Sequence, residues 1–144
     1  MELPRKTTLI STEDRCEDDR GAIVSIVDTA VENVSIIWSH AGSIRSNHYH
    51  HDDFHFMYVV DGAIDYFYRD VITSDVKYLR VERGENVFTP PNELHATYFP
   101  VDTMLIVSSK NPRDQETYER DTHREPLITK ANVMEMLRLY AWAK

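Results

Sequence analysis

Four of the seven histidines fall in one stretch, Gly42 to Gly62, as His48, His50, His51 and His55. On an extended segment alternate residues share a face, so His48 and His50 present both imidazoles to one side. The following His51-Asp52-Asp53-Phe54 reads as a turn, and a second apolar run starts at His55. If the two runs pair antiparallel, a third imidazole converges on the same point. Neutral imidazole suits zinc, copper, iron and nickel, and three such groups can hold a divalent ion with coordination positions left open. The stretch is therefore read as a metal site. A second stretch, Gly84 to Phe99, carries Pro90-Pro91, which cannot donate to a strand ladder and makes a stiff corner. That corner can aim His95 back inward, giving a four-histidine constellation. His51 faces away from His50 as a solvated turn residue, and His40 and His123 are read as surface groups.

The elements that must position these groups are short and β-rich. Ile23–Val27 and Val34–Trp38 read as buried strands. His55–Val60, Ala63–Arg69, Val76–Val81, Val87–Thr89, Ala96–Phe99 and Thr103–Ser108 follow, separated by Asp-Gly, Ser-Asp, Arg-Gly-Glu and Pro-Pro breaks. Many short strands at this spacing predict an all-β antiparallel sandwich or barrel. At 144 residues and 42% hydrophobic, the chain fits one domain with room for a buried pocket. The organisation read from these patterns is an irregular lead over 1–20, a barrel over 21–110 and an extension over 111–144. Within the extension, 111–126 is polar and wraps the surface. Asn132 and Glu135 resemble a capping box, and Val133, Met136, Leu137 and Tyr140 recur at helical spacing, so a short amphipathic α-helix is predicted over 132–143. It docks on the domain's own body or on a second subunit.

The balance of 16 basic against 24 acidic residues, a formal charge of -8, disfavours nonspecific binding to nucleic acid or anionic membrane. No apolar leader and no run of roughly 20 apolar residues is present, so the expectation is a soluble, cytoplasmic protein. Cys16 is the only cysteine, which excludes an internal disulfide.

The two histidine stretches resemble the paired motifs of the cupin family. The first family motif, G-x5-H-x-H-x(3,4)-E-x6-G, is matched in every spacing by Gly42, His48, His50, His55 and Gly62, with His55 where the family usually has Glu. The second, G-x5-P-x-G-x2-H-x3-N, is matched by Gly84, Pro90 and His95, with Asn92 in place of the glycine and Phe99 in place of the asparagine. The resemblance spans roughly residues 34–109. It implies a double-stranded β-helix, or jelly-roll barrel, and carries ligand roles to His48, His50, His55 and His95. A shell of four neutral imidazoles favours one late divalent transition ion, with iron, nickel, zinc, cobalt and manganese all candidates. The alternative is a metal-free cupin using the same histidines as hydrogen-bonding or base groups.

Counting in steps of two from His55 and His95 places Met57, Val59, Thr97 and Phe99 on the pocket wall. Tyr66, Tyr68 and Tyr98 offer phenols of undetermined direction, and Arg45, Arg69, Arg80 and Arg83 are the arginines near the barrel sequence. Ser46–His51 and Phe88–His95 look similar to small cupins of deoxysugar and polysaccharide pathways. The resemblance implies an isomerase or epimerase of a keto-sugar or other hydroxycarbonyl metabolite, with a metal-stabilised enediolate. An iron-dependent dioxygenase is the alternative enzyme, and a noncatalytic small-molecule binder or sensor the alternative of another class. Because cupins commonly pair through their sheets, a homodimer is expected.

Overall fold

Residues that alternate apolar and polar along most of the chain pair into two facing antiparallel sheets. The structure, a computed structural model, describes residues 2–12 and 15–142. The strands are β1 (Thr8–Ile10), β2 (Arg15–Asp18), β3 (Gly21–Val24), β4 (Asn33–Ser39), β5 (Ile44–Tyr49), β6 (His55–Asp61), β7 (Ala63–Asp70), β8 (Lys77–Glu82), β9 (Asn86–Thr89), β10 (Glu93–Tyr98), β11 (Thr103–Ser109) and β12 (His123–Arg124). One sheet runs β1-β9-β6-β11-β4 and the other β12-β5-β10-β7-β8. Met57, Val59, Val87, Leu105 and Val107 from the first sheet meet Ile64, Tyr66 and Val81 from the second in one core. This is the jelly roll that the motif spacing implies.

Three expectations are corrected. The lead is not wholly irregular: β1 pairs with β9 through Thr8–Phe88 and Leu9–Val87, because Leu9 completes the core edge. Ile23–Val27 is not a buried barrel strand. β3 pairs with β2 in a separate two-stranded hairpin, and Ile23 is 75% exposed. In β4 only alternate residues face inward, so Val34, Ile36 and Trp38 stand 61%, 55% and 65% exposed on the outer face. Met1, Glu13, Asp14, Ala143 and Lys144, which fall within the predicted lead and extension, lie outside the described residues.

The extension is structured. Asp114 caps α1 (Gln115–Arg120), its side chain accepting from the Thr117 N–H at 3.0 Å. β12 then adds to the edge of β5. The predicted terminal α-helix is shorter than expected: α2 (Val133–Met136) passes into a π-helical turn over Leu137–Trp142. The capping box is not formed, because the Asn132 carboxamide is used backwards, accepting from Thr129 N–H and donating to Leu127 O. Val133 and Leu137 nevertheless dock on the barrel's own outer wall against Phe67, Ala96 and Ile128.

The β6–β7 turn depends on Gly62, at φ +96°. An added Cβ there would meet Thr103 Oγ1 and lie 2.6 Å from Asp102 O. Gly62→Ala is expected to cost about 2–3 kcal/mol from overpacking and a left-handed backbone. Chemical denaturation checks this, and an unchanged midpoint would refute it.

Candidate functional site

The pairing of β5 with β10 sets the site. His48 lies opposite His95, and their ring centroids are 4.8 Å apart. A bulge at Ser46 and Asn47, both at positive φ, shifts the register immediately before His48. Asn47 is held there by the extension: its Oδ1 accepts from Leu127 and Ile128 N–H, and its Nδ2 donates to Ile128 O. His50 follows with its ring 4.7 Å from that of His48 and 5.0 Å from that of His55. The corner after Pro90-Pro91 is completed by Asn92 at φ +60°, so Asn supplies the left-handed residue where the resembling motif has glycine. Its N–H donates to His50 O at 2.6 Å.

The four predicted imidazoles are neighbours, but they do not form one equivalent set. Ligand nitrogens of His48, His50 and His95 all lie within 4.8 Å of one another. His55 falls in a second such group with His50 and Asp53, a carboxylate the sequence reading left in the turn. Both groups are buried.

Hydrogen bonds fix the ring orientations. His50 Nδ1–H donates to Asp121 O at 2.8 Å and His95 Nδ1–H to Glu93 O at 3.1 Å. A carbonyl only accepts, so each Nε2 is left as a lone pair. His55 Nδ1 bonds the Ser109 hydroxyl at 2.9 Å. The Nε2 atoms of His50, His55 and His95 are buried and make no hydrogen bond among the described residues. Unpaired buried acceptors are costly, and outer-shell bonds at Nδ1 with free Nε2 atoms are the arrangement of metal-ligating histidine. The donor set therefore fits a divalent transition ion. Burial also keeps the rings of His48, His55 and His95 neutral, first through desolvation, with the neighbouring imidazoles adding to it. His48 is pushed down to about 2, His95 to about 4 despite the Glu93 carbonyl, and His55 well below its ordinary value.

Asp121 organises the turn from the far end of the chain. Its carboxylate accepts the backbone N–H groups of His51, Asp52 and Asp53 at 2.9, 3.0 and 2.9 Å, while its carbonyl takes His50. Burial raises this carboxyl's pKa, but the three N–H groups outweigh that and hold it below the ordinary range.

Above the imidazoles is a cavity of about 150 Å³. His48, His55, His95, Met57, Thr97 and Phe99 line it. Val59 does not: it is fully buried deeper in the core. Tyr66, Tyr68 and Tyr98 do not line it either, and the Tyr66 hydroxyl is engaged with Thr89 and Thr7. The phenol at the cavity is Tyr118 of α1, with its ring 6.2 Å from His48 and 5.7 Å from His50. Burial raises its pKa. Arg113 sits 5.0 Å over the Tyr118 ring, and Arg45, anchored by Ser39 Oγ and Trp38 O, completes the cationic side. Arg69 and Arg80 are committed to Glu125 and Asp65, away from the cavity. Sequence reasoning missed Tyr118 and Arg113; the Asp114–Thr117 cap spacing was the available signal. His123, read as isolated, stacks on Tyr49 at 5.1 Å and lies 4.5 Å from His51.

Residues 16–107 match the model of a family described as the polysaccharide biosynthesis C-terminal domain. No curated protein matches the sequence. Among solved structures, the capsular polysaccharide assembling protein CapF from Staphylococcus aureus aligns at 23% identity with a TM-score of 0.61. The match covers 83% of this chain and 32% of that one, so this chain spans about a third of CapF. A double mutant of the QdtA 3,4-ketoisomerase from Thermoanaerobacterium thermosaccharolyticum, in complex with TDP, aligns at 16% identity and TM-score 0.67, covering 96% and 99% of the two chains. The dTDP-4-dehydrorhamnose 3,5-epimerase from Sulfolobus tokodaii aligns at 16% identity and TM-score 0.67, covering 92% and 82%. At these identities the likeness is one of fold. Among the described residues no helix is long and apolar enough to cross a membrane.

Proposed function

This chain belongs to the polysaccharide biosynthesis C-terminal domain family, and from that premise we propose that it isomerises or epimerises a nucleotide-linked keto-sugar at a metal-assisted site. The observation that carries the reading is the set of unpartnered buried Nε2 atoms beneath a cavity bearing one phenol and two guanidinium groups. His48, His50 and His95 would hold the ion. When bound, such an ion supplies a Lewis acid beside a carbonyl oxygen. The cavity, at about 150 Å³, is smaller than the ~300 Å³ of a site enclosing a whole drug-sized ligand, so it takes the sugar ring and leaves the nucleotide at the mouth. Arg45 and Arg113 bind the diphosphate there, which answers the overall negative charge of the chain. Tyr118 stays protonated at neutral pH and can donate a hydrogen bond to a sugar oxygen on which negative charge develops. Met57, Phe99, Leu105 and Val107 exclude water from the ring.

The test is proton NMR in D₂O with a nucleotide-linked 4-keto-6-deoxyhexose and metal-loaded protein. Deuterium entering the carbon beside the carbonyl is the expected result. Exchange no faster than in buffer, or oxygen consumption by the iron-loaded protein without exchange, would overturn the reading.

A homodimer through the outer face of β4 belongs to the same proposal. Val34, Ile36 and Trp38 form an exposed apolar stripe on an edge strand, a surface that natural proteins cover or pair. Light scattering at micromolar concentration should give twice the 16.8 kDa chain mass, falling to the monomer in Ile36→Glu/Trp38→Glu. A monomeric parent protein would end this idea.

A further inference from the structure

We propose that Asp53 is an additional ligand of the metal centre, supplying through Oδ2 the carboxylate that position 55 has given up to histidine. The inference rests on the metal reading above and extends it to a residue outside the paired motifs. Asp53 lies in the loop between β5 and β6 and is only 4% exposed. A carboxylate so buried is normally paired with a cation. Among the described residues no lysine or arginine pairs with it. Oδ1 is occupied by the Asn111 N–H at 3.1 Å, which orients the group. Oδ2 faces His55 Nε2 at 3.5 Å, and the carboxylate lies within 4.8 Å of the ligand nitrogens of both His50 and His55. Those two Nε2 atoms have no hydrogen-bond partner. One carboxylate oxygen, the His50 Nε2 lone pair and the His55 Nε2 thus converge, and with the His55 Nδ1–H donated to Ser109 Oγ a divalent ion satisfies all three.

The chain itself holds the geometry. Asp53 N–H is pinned by Asp121, whose carbonyl also takes His50 Nδ1–H, so one residue aims both the carboxylate and the pivotal imidazole. His50 belongs to both ligand groups, so a single ion drawing on His50 has His48 and His95 on one side and Asp53 and His55 on the other. The centre then carries one negative donor rather than none, which widens its tolerance toward harder ions such as iron(II) and manganese(II).

Cobalt(II) titration of chelator-stripped full-length protein, read by visible absorption and by competition with a chromophoric chelator, tests this. Asp53→Asn keeps the shape and removes the charge; it should weaken cobalt binding at least tenfold and change the ligand-field bands. Asp53→Asn/His55→Glu, which returns the carboxylate to position 55, should recover affinity. Should Asp53→Asn fail to fold, Asp53→Glu keeps the charge and should shift the bands. Parent-like affinity and bands in Asp53→Asn, or parent-like bands in Asp53→Glu, would remove Asp53 from the centre and leave the histidine site standing. No cobalt binding by the parent protein would defeat the metal reading and this inference together.

Discussion

His50→Ala abolishes stoichiometric divalent-metal binding while the barrel remains folded: that is the largest single-residue effect expected. His50 is the one histidine in both ligand groups, and its Nδ1 is locked to Asp121 O so that its Nε2 points into the cluster. Truncation removes a donor from either arrangement and leaves the Asp121 carbonyl without its partner. Loss of one inner ligand exceeds the 10–100-fold typical of outer-shell changes, so affinity should fall by more than about 100-fold. The barrel survives because its core of Val59, Ile64, Tyr66 and Leu105 lies below the site, although the fold loses about 2–4 kcal/mol from the buried void. His51→Ala is the matched control, since His51 is exposed and bonds only Asn92 through its ring. Elemental analysis after dialysis against zinc separates the outcomes. Equal metal in the parent protein and His50→Ala would remove the cluster as a metal site.

The parts of this site visible in the sequence are those set by strand periodicity. His48 and His50 share a face because β5 is extended after its bulge, and His95 meets them because β5 and β10 are antiparallel neighbours. Asn92 illustrates a departure that the physics absorbs, since asparagine tolerates the positive φ that the motif's glycine would adopt. What the sequence hides is what arrives from far along the chain. Asp121 reaches His50 across 71 positions, and Tyr118 and Arg113 come from a polar segment with no apolar stripe to announce a place at the cavity. The outward face of β4 is hidden for another reason: Val34, Ile36 and Trp38 are as apolar as core residues, so composition alone reads them as buried. Asp53 was obscured by its turn context, where a carboxylate ordinarily serves solvent or backbone.

Chelator-stripped protein is expected to lose stability steeply as the pH falls from about 6.5 to about 5, ahead of any carboxylate-driven acid unfolding. The sign follows from the buried imidazoles. In the unfolded chain each histidine takes a proton near its ordinary 6.5, whereas in the folded protein desolvation holds His95 down to about 4 and His48 down to about 2. Between those values the unfolded state binds more protons, so stability is complete above 6.5 and drains as acid is added. For His95 alone the interval corresponds to about 3 kcal/mol, reached only when the pH approaches its folded value. His55, held well below its ordinary value by full burial, acts in the same direction. Two carboxyls oppose the trend: burial raises Asp53 and Glu93, so each gains its proton in the folded state first and recovers some stability as acid is added. The steepest loss therefore lies in the histidine window rather than the carboxylate one. Bound metal should suppress it by occupying the lone pairs that protons would need. Thermal melts between about pH 7.5 and 5 should show the stripped protein falling by about 10 °C while the zinc-loaded protein falls much less. A flat profile for the stripped protein would mean that the imidazoles are solvated in solution, and with that the buried cluster itself would be lost.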